Sequence, residues 1–132
     1  MFRKITALFL AAALTLLCGC SVSGSATPPE LETDEHGKLA LSLTADVVGG
    51  HYSAACDNYD FTEQMEDAMS TSLLYLSMMS LVKSYGRFES IESITPYGDA
   101  YYVGLKFKKQ SMTAVITFDG DLIAGFVFTE WV

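Results

Sequence analysis

The chain has 132 residues, half of which are apolar, and a formal net charge of −8. This length fits one domain of ordinary size. The acidic balance, with no stripe of basic residues to offset it, excludes nucleic acid as an expected partner, because an acidic surface repels phosphate backbones.

The first residues have the layout of a bacterial export signal. Two basic residues, Arg3 and Lys4, precede a run from Ile5 to Leu17 in which only Thr6 and Thr15 are polar. A membrane span needs about 20 apolar residues, so this run is too short to cross a bilayer. Its length and its basic start are typical of a signal-peptide core.

The run ends in Leu17-Cys18-Gly19-Cys20, which resembles the lipobox of bacterial lipoproteins. In that motif the cysteine receives a thioether-linked diacylglycerol, and a peptidase cleaves between Gly19 and Cys20. We therefore predict a signal peptide over residues 1–19 and a lipid on Cys20. Two acyl chains give stable binding, so the protein is expected on the outer face of the cell membrane. The alternative is an ordinary secretory signal followed by a chance cysteine.

Residues 20–36 are rich in Ser, Pro and acidic residues and poor in large apolar ones. Such a segment cannot bury enough surface to offset its ordering entropy, so we predict a disordered acidic tether that ends in a solvated His36. The domain proper then runs over residues 37–132. It retains Cys56, whose alanine neighbours indicate a buried thiol in a helix rather than a reactive one.

The first half of the domain has helical periodicity. Apolar residues at four-residue spacing predict a helix from Leu39 to Val48, and Gly49-Gly50 then ends or bends it. A second helical segment follows from His51 to Tyr59, and its histidine has no second ligand at helical spacing. Asp60 and Glu63 then have the spacing of a capping box, which predicts Asp60 as the N-cap of a short helix.

A longer helix is predicted from Ser72 to Tyr85, closed by Gly86. Its apolar residues occupy a wide face, which predicts that it carries most of the core and is wrapped on most sides. Met78 and Met79 could instead line an adaptable groove, but packing is the favoured interpretation. The Ser80 to Lys83 segment matches the S-x-x-K pattern of serine acyl-enzymes without that family's companion motifs, so no nucleophile is assigned.

Four β segments follow. They run from Arg87 to Thr95, with an expected bulge, from Tyr101 to Lys109, from Met112 to Phe118 and from Leu122 to Trp131. Turns are predicted at residues 96–99, 109–111 and 119–121, with Gly120 in the left-handed conformation. The last strand is apolar on both faces, and its outer face is predicted to comprise Leu122, Ala124, Phe126 and Phe128. Asp119 and Asp121 are assigned to the turn rather than to a cation site.

Helices followed by an antiparallel meander predict an α+β fold in which N-terminal helices pack on one face of a curved four-stranded antiparallel sheet. The two layers together predict the shape of a cone.

Several short segments also resemble one protein family. They are Gly49-Gly50-His51-Tyr52, Phe61 with Met65, Tyr85 to Ile91, and Phe118 to Gly125. Together they resemble domain-of-unknown-function family 3887, whose members are often Gram-positive lipoproteins. The resemblance covers roughly residues 39–128 and implies a cone similar to that of nuclear transport factor 2. The family pattern carries no agreed catalytic residues, so none is implied here.

Three functions remain open at this stage. The favoured one is a binding or protein-interaction module whose surface includes Tyr97, Tyr101, Tyr102 and Trp131, because exposed aromatic residues mark recognition surfaces. The alternative is a small-molecule-binding or catalytic domain that uses the cone interior, where only Tyr85, Tyr101 and Cys56 bring polar atoms. The third is a structural unit that pairs with a second copy. No catalytic residue, metal ligand or cofactor is assigned, and the expected partners are the membrane, through the lipid, and an envelope protein or a second copy.

Overall fold

Helices precede strands in the computed structural model, which describes residues 31–130. The helices are α1 (Glu35–Val48), α2 (Tyr52–Asp57), α3 (Glu63–Ala68) and α4 (Thr71–Tyr85). The strands are β1 (Phe88–Tyr97), β2 (Ala100–Phe107), β3 (Ser111–Asp119) and β4 (Leu122–Thr129). The predicted α+β class, with helices N-terminal to a four-stranded antiparallel sheet, is confirmed.

Some predictions lie outside the described residues. They concern the signal peptide, the lipobox with Gly19 and Cys20, the greater part of the tether, and Trp131. Within residues 31–130, no helix has both the length and the apolar character that crossing a membrane requires.

The sheet is a meander in which each strand pairs with the next one along the chain. Strand β2 alternates as predicted, since one side chain in two is buried and the other is not; β3 follows the same alternation except at Thr113, which is buried like its neighbours Met112 and Ala114. The buried set includes Val103, Leu105, Phe107 and Ile116, which are at most 1% exposed. The period-2 pattern of these two strands therefore identifies the core face of the sheet.

The hairpin turns agree only in part with the prediction. Gly120 has φ of 66°, in the left-handed region, as predicted. The first turn is shorter than predicted, because β1 continues through Pro96, which pairs with Tyr101, and leaves only two residues to turn. Proline is tolerated there because β1 is an edge strand whose outer N–H groups need no partner. Two register shifts in β1 confirm the predicted bulge.

Helix α1 contacts β1, β2 and β3, and seven of its fourteen residues are buried. It begins at Glu35, before the predicted start at Leu39, because the Asp34 side chain accepts a hydrogen bond of 2.9 Å from the Gly37 N–H and caps the first turn. Ordered structure therefore begins ahead of the boundary predicted at residue 37.

Helix α4 has the predicted position but not the predicted burial. Leu74 and Met78 are its buried residues, and it packs mainly against α1 and α2. The prediction that it carries most of the core is wrong, because α1 lies against the sheet instead. The outward apolar side chains of α4 are between 40% and 57% exposed; they are Leu73, Tyr75, Leu76, Met79 and Val82.

The cap of α3 also differs from the prediction. The N-cap is Thr62, whose hydroxyl accepts a hydrogen bond from the Met65 N–H, and not Asp60. The segment before it lies beside β4 in extended conformation: Phe61 bridges to Ile123, and two backbone hydrogen bonds flank the bridge. This pairing delays the start of the helix by two residues.

The faces of β4 are partly reversed relative to the prediction. A register shift between Thr117 and Phe118 places Phe126 and Phe128 on the core side, opposite buried residues of β3. The predicted outer position of these two side chains is therefore wrong. A bulge changes which face every following residue occupies, and here it turns Val127 outward.

Candidate functional site

The face of the sheet opposite the core has an uncharged centre. Cross-strand pairing aligns its residues in rows. Three adjacent rows, which we call the outer platform, are Tyr97-Ala100-Thr117-Gly125, Thr95-Tyr102-Val115-Val127 and Ser93-Gly104-Thr113-Thr129. None of these residues carries a carboxylate, an ammonium or a guanidinium group. In a chain with 16 acidic residues, this face is an area of the surface without charge.

Two of the predicted surface tyrosines meet on the outer platform. The ring centroids of Tyr97 and Tyr102 are 5.3 Å apart with the planes tilted by 54°, a favourable aromatic pair. Tyr97 is 69% and Val127 57% exposed. These two residues and Val115 give the platform its apolar character. Sequence reasoning assigned Val115 and Val127 no role, although their position in the same row as Tyr102 follows once the strand register is known.

Tyr101 does not belong to this surface, so that part of the prediction is wrong. Its side chain points to the core side and is 7% exposed, because alternation along β2 places it on the opposite face of the sheet from Tyr102. Its hydroxyl donates to the carboxylate of Asp34, with oxygen distances of 2.6 and 2.8 Å. This hydrogen bond raises the pKa of Tyr101 to about 12 and lowers the pKa of Asp34. Tyr101 therefore fixes the start of α1 to the sheet.

His36 also has a structural contact, and its predicted solvation is wrong. The imidazole stacks on Phe118 with ring centroids 4.4 Å apart and planes within 8° of parallel. Its Nε2 lies 3.1 Å from Oδ1 of Asp121, in the turn before β4.

Residues 31–130 contain no cluster of three or more histidine, cysteine or acidic side chains that could hold a metal ion.

A chain of polar side chains connects α1 to α2. The Tyr59 hydroxyl lies 2.7 Å from Oδ2 of Asp46 and 2.9 Å from the Ser42 hydroxyl. The other Asp46 oxygen is 3.8 Å from Nδ1 of His51, whose side chain is 70% exposed. Ser42 and Asp46 share one helix face at four-residue spacing, which is the signal that could have predicted the pair.

Burial governs the electrostatics of this polar chain. Desolvation raises the pKa of Asp46, while the hydrogen bond from Tyr59 and the nearby His51 act in the opposite direction. Desolvation also raises the pKa of Tyr59 well above its usual value. A neighbouring groove of about 490 Å³ is shallow and lined by Gly50, His51, Tyr52, Ser53, Ala54 and Thr71. The arrangement fixes α2 onto α1 and brings one exposed imidazole to the rim of an open groove.

The core side of the sheet has few polar groups available for chemistry. The Tyr101 hydroxyl is bound to Asp34, and the buried Thr44 hydroxyl donates to the Ala40 carbonyl at 2.7 Å. The Cys56 thiol is half-buried, and desolvation raises its pKa, which disfavours the reactive thiolate. The Tyr85 hydroxyl donates to Glu130. The groups proposed for an interior site are therefore engaged elsewhere or not activated.

Comparisons of the sequence with protein-family models and with curated proteins, and of the structure with solved structures, find no match.

Proposed function

We propose that this protein is a lipid-anchored extracytoplasmic domain that acts as a binding or protein-interaction module. Cys20 carries the lipid, the acidic segment after it acts as a tether, and the outer platform contacts an envelope protein or a second copy of the chain. The observation that carries the binding role is the outer platform itself, an uncharged face with an aromatic pair, of which Tyr97 is 69% exposed, in a chain of net negative charge.

The size of the outer platform suits the centre of an interface. Strands lie about 4.8 Å apart and alternate residues about 7 Å apart, so three rows on four strands cover roughly 300–400 Å². Stable interfaces bury about 800 Å² on each partner, with an apolar centre and a polar rim. The platform accounts for the centre, and the surrounding polar surface supplies the rim. Tyr97 is the expected anchor, since it is the most exposed large side chain of this face.

We further propose the cone fold of nuclear transport factor 2 and kinship with domain-of-unknown-function family 3887. Support comes from the order of elements, with helices before a four-stranded meander, and from the contacts of α1 with three strands. The register shifts in β1 and at the β3–β4 pairing also support it, because bulges bend the strands that contain them. The alternative site in the cone interior has less support, since Tyr101 and Cys56 offer no available reactive group.

Affinity capture from envelope extracts tests the platform. With the full chain carrying Tyr97→Ala and Val127→Ser, the amount of any specific partner recovered should fall at least about tenfold. The substitutions remove about half of the apolar contribution of each side chain from the centre of the interface. Leu122→Ser is the matched control, since this side chain is 39% exposed at the end of β4 and outside the three rows. A partner retained by the double variant but lost with Leu122→Ser would place binding elsewhere.

Mass spectrometry of the chain recovered from bacterial membranes tests the anchor. The expected product begins at Cys20 and carries a diacylglycerol, with or without a further acyl group. Cys20→Ser should abolish both the added mass and membrane retention in a high-salt wash. An unmodified Cys20 in a chain cleaved at another position would contradict the lipid anchor and leave the platform hypothesis unaffected.

A further inference from the structure

Helix α4 presents an apolar ridge to its surroundings. Leu73, Leu76, Met79 and Val82 follow one another at three-residue spacing and are 53%, 57%, 50% and 40% exposed. Side chains at this spacing form a continuous row along a helix. Tyr75 lies beside the row and is 51% exposed. We call these five residues the α4 ridge.

Positive charge gathers at the C-terminal end of α4. The Lys109 N–H donates to the Tyr85 carbonyl at 2.8 Å, and the Lys108 N–H donates to the Arg87 carbonyl at 2.9 Å, so the β2–β3 turn lies against the end of the helix. Five of the eight basic residues of the whole chain lie on the segments that join there, and we call them the basic corner: Lys83, Arg87, Lys106, Lys108 and Lys109. Within residues 31–130 none of the five forms an ion pair.

Acidic residues leave this side of the domain largely clear. No carboxylate occurs between Asp67 and Glu89. Asp67 precedes the N-terminal end of α4. The helix has fifteen residues, so this end lies roughly 20 Å from the basic corner at the other end. Glu89 and Glu130 lie near the corner, but its five basic residues outnumber them, so the corner has an excess of positive charge. The chain as a whole has a net charge of −8.

From this juxtaposition we propose that α4 docks on the surface of an anionic phospholipid bilayer, with the α4 ridge at the headgroup boundary and the basic corner on the headgroups. Interfacial helices sink their apolar face about 5–10 Å into that boundary. Each Lys or Arg close to an anionic leaflet adds attraction. Tyr75 suits the same depth, because tyrosine is enriched at membrane interfaces.

Neither a soluble polyanion nor a second copy fits both features. A polyanion satisfies the basic corner and leaves the α4 ridge in water. A second copy that packs ridge against ridge covers the apolar side chains, but α4 has no carboxylate with which to pair the basic corner of the other copy. A bilayer satisfies the ridge and the corner together.

The inference rests on the proposed anchor, which brings the domain to the membrane. The chain between Cys20 and Asp34 can span at most about 50 Å. A domain of this size has a radius of gyration of about 13 Å. The anchor therefore keeps the domain within contact distance of the bilayer and allows α4 to lie on it.

Vesicle flotation tests the docking without the lipid. The full chain with Cys20→Ser is mixed with vesicles of equal parts phosphatidylglycerol and phosphatidylcholine, or of phosphatidylcholine alone. Leu76→Ser removes part of the ridge, and Leu122→Ser is its control, since it makes the same substitution at a side chain that is 39% exposed and lies outside the outer platform. Lys108→Gln removes one corner charge, and Lys38→Gln on α1 is its control. All variants share residues 1–30, so any contribution of that segment cancels.

The expected result is partition into the anionic vesicles that falls about fivefold with Lys108→Gln and roughly five- to tenfold with Leu76→Ser. The two controls should stay within about twofold of the parent, as surface substitutions away from a contact do. Unchanged thermal unfolding shows that each variant is folded.

Three outcomes overturn the proposal. Loss with Lys108→Gln but none with Leu76→Ser indicates a polyanion contact without the helix. An effect of Leu76→Ser on sedimentation equilibrium alone indicates self-association. Equal losses in the variants and their controls indicate nonspecific adsorption. Failure of the anchor appears instead in the mass at Cys20 of the native chain, which the vesicle experiment does not measure, so the two failures are distinguishable.

Discussion

Replacement of Tyr59 by phenylalanine should destabilise the domain in a pH-dependent way. The Tyr59 hydroxyl has one proton, which it donates to the ionised Asp46 at 2.7 Å while it accepts from Ser42. A hydrogen bond to a charged group contributes about 1.5–3 kcal/mol. The Asp46 side chain is 23% exposed, so water replaces part of the lost bond, and we expect a cost of about 2 kcal/mol at neutral pH. For a domain of this size the midpoint of thermal unfolding then falls by roughly 10 °C.

The pH dependence identifies Asp46 as the source of the effect. Burial raises the pKa of Asp46 in the folded protein, so its contribution to stability is present at low pH and falls as the pH rises through the folded pKa. Removal of the Tyr59 hydroxyl raises the pKa of Asp46 further, so the stability of the folded protein decreases more as the pH rises. The cost of Tyr59→Phe should therefore be full at neutral pH and decrease as the pH drops through the folded pKa of Asp46.

Urea unfolding of the variant and the parent at neutral and acidic pH measures the cost. Tyr52→Phe is the matched control, because this half-buried tyrosine makes no hydrogen bond within residues 31–130, and it should cost less than about 0.5 kcal/mol. In an Asp46→Asn background most of the cost should disappear. Equal costs for the two tyrosines, or a cost independent of pH, would refute the reasoning.

Three further pairs of substitutions test the fold. Leu74→Ala should cost about 2–4 kcal/mol and Leu76→Ala less than about 0.5 kcal/mol, because the first side chain is 8% and the second 57% exposed; chemical denaturation distinguishes them, and similar values would contradict the orientation of α4. Thr62→Ala should cost about 1 kcal/mol and Asp60→Ala markedly less in the same assay, since Thr62 provides the cap; the reverse order would restore the capping box predicted from sequence. Gly86→Ala should cost more than Gly98→Ala, because both have positive φ but only at Gly86 would a Cβ lie 2.7 Å from the Lys108 Cβ; equal losses of thermal stability would show that Lys108 moves away freely.

Local patterns in the sequence predicted the sheet well. The alternation in β2 identified the core face, because this strand is buried on one side and a period of two has only one solution there; β3 follows it except at the buried Thr113. The end of α4 at Gly86 and the turn at Gly120 were also predictable, since both glycines have positive φ, which other residues rarely adopt.

The errors arose where distant segments decide the outcome. Helix α4 has apolar residues on most of its faces, and the sequence does not indicate which of them remain exposed after α1 and α2 pack against it. The bulge beside the Thr117–Gly125 pair changes the phase of β4, and a single glycine within a strand does not by itself show which way the phase shifts. His36 and Asp34 form contacts with residues 85 and 67 positions away, which no local pattern predicts.

The outer platform was predictable only in part for the same reason. Tyr97 and Tyr102 stood out as aromatic residues in a strand region, and the structure brings them together. Strict alternation along β2 places Tyr101 and Tyr102 on opposite faces of the sheet, so the sequence pattern alone excludes Tyr101 from the outer platform. The basic corner needed the contact of the β2–β3 turn with the end of α4, which joins Arg87 to Lys108 across the sheet.

The meander order leaves two sheet edges of unequal character. The edge formed by β1 contains Pro96, two register shifts and the charges of Glu89 and Glu92, which are devices that prevent a further strand from pairing. The edge formed by β4 has no charge and no proline from Leu122 to Thr129; in the described residues only the single bridge at Phe61 pairs with it, and α3 also contacts it. Strand addition is therefore directed to one edge. Two copies that pair through β4 would form one continuous sheet bounded on both sides by β1, so such an assembly closes at two copies and cannot extend into a fibre.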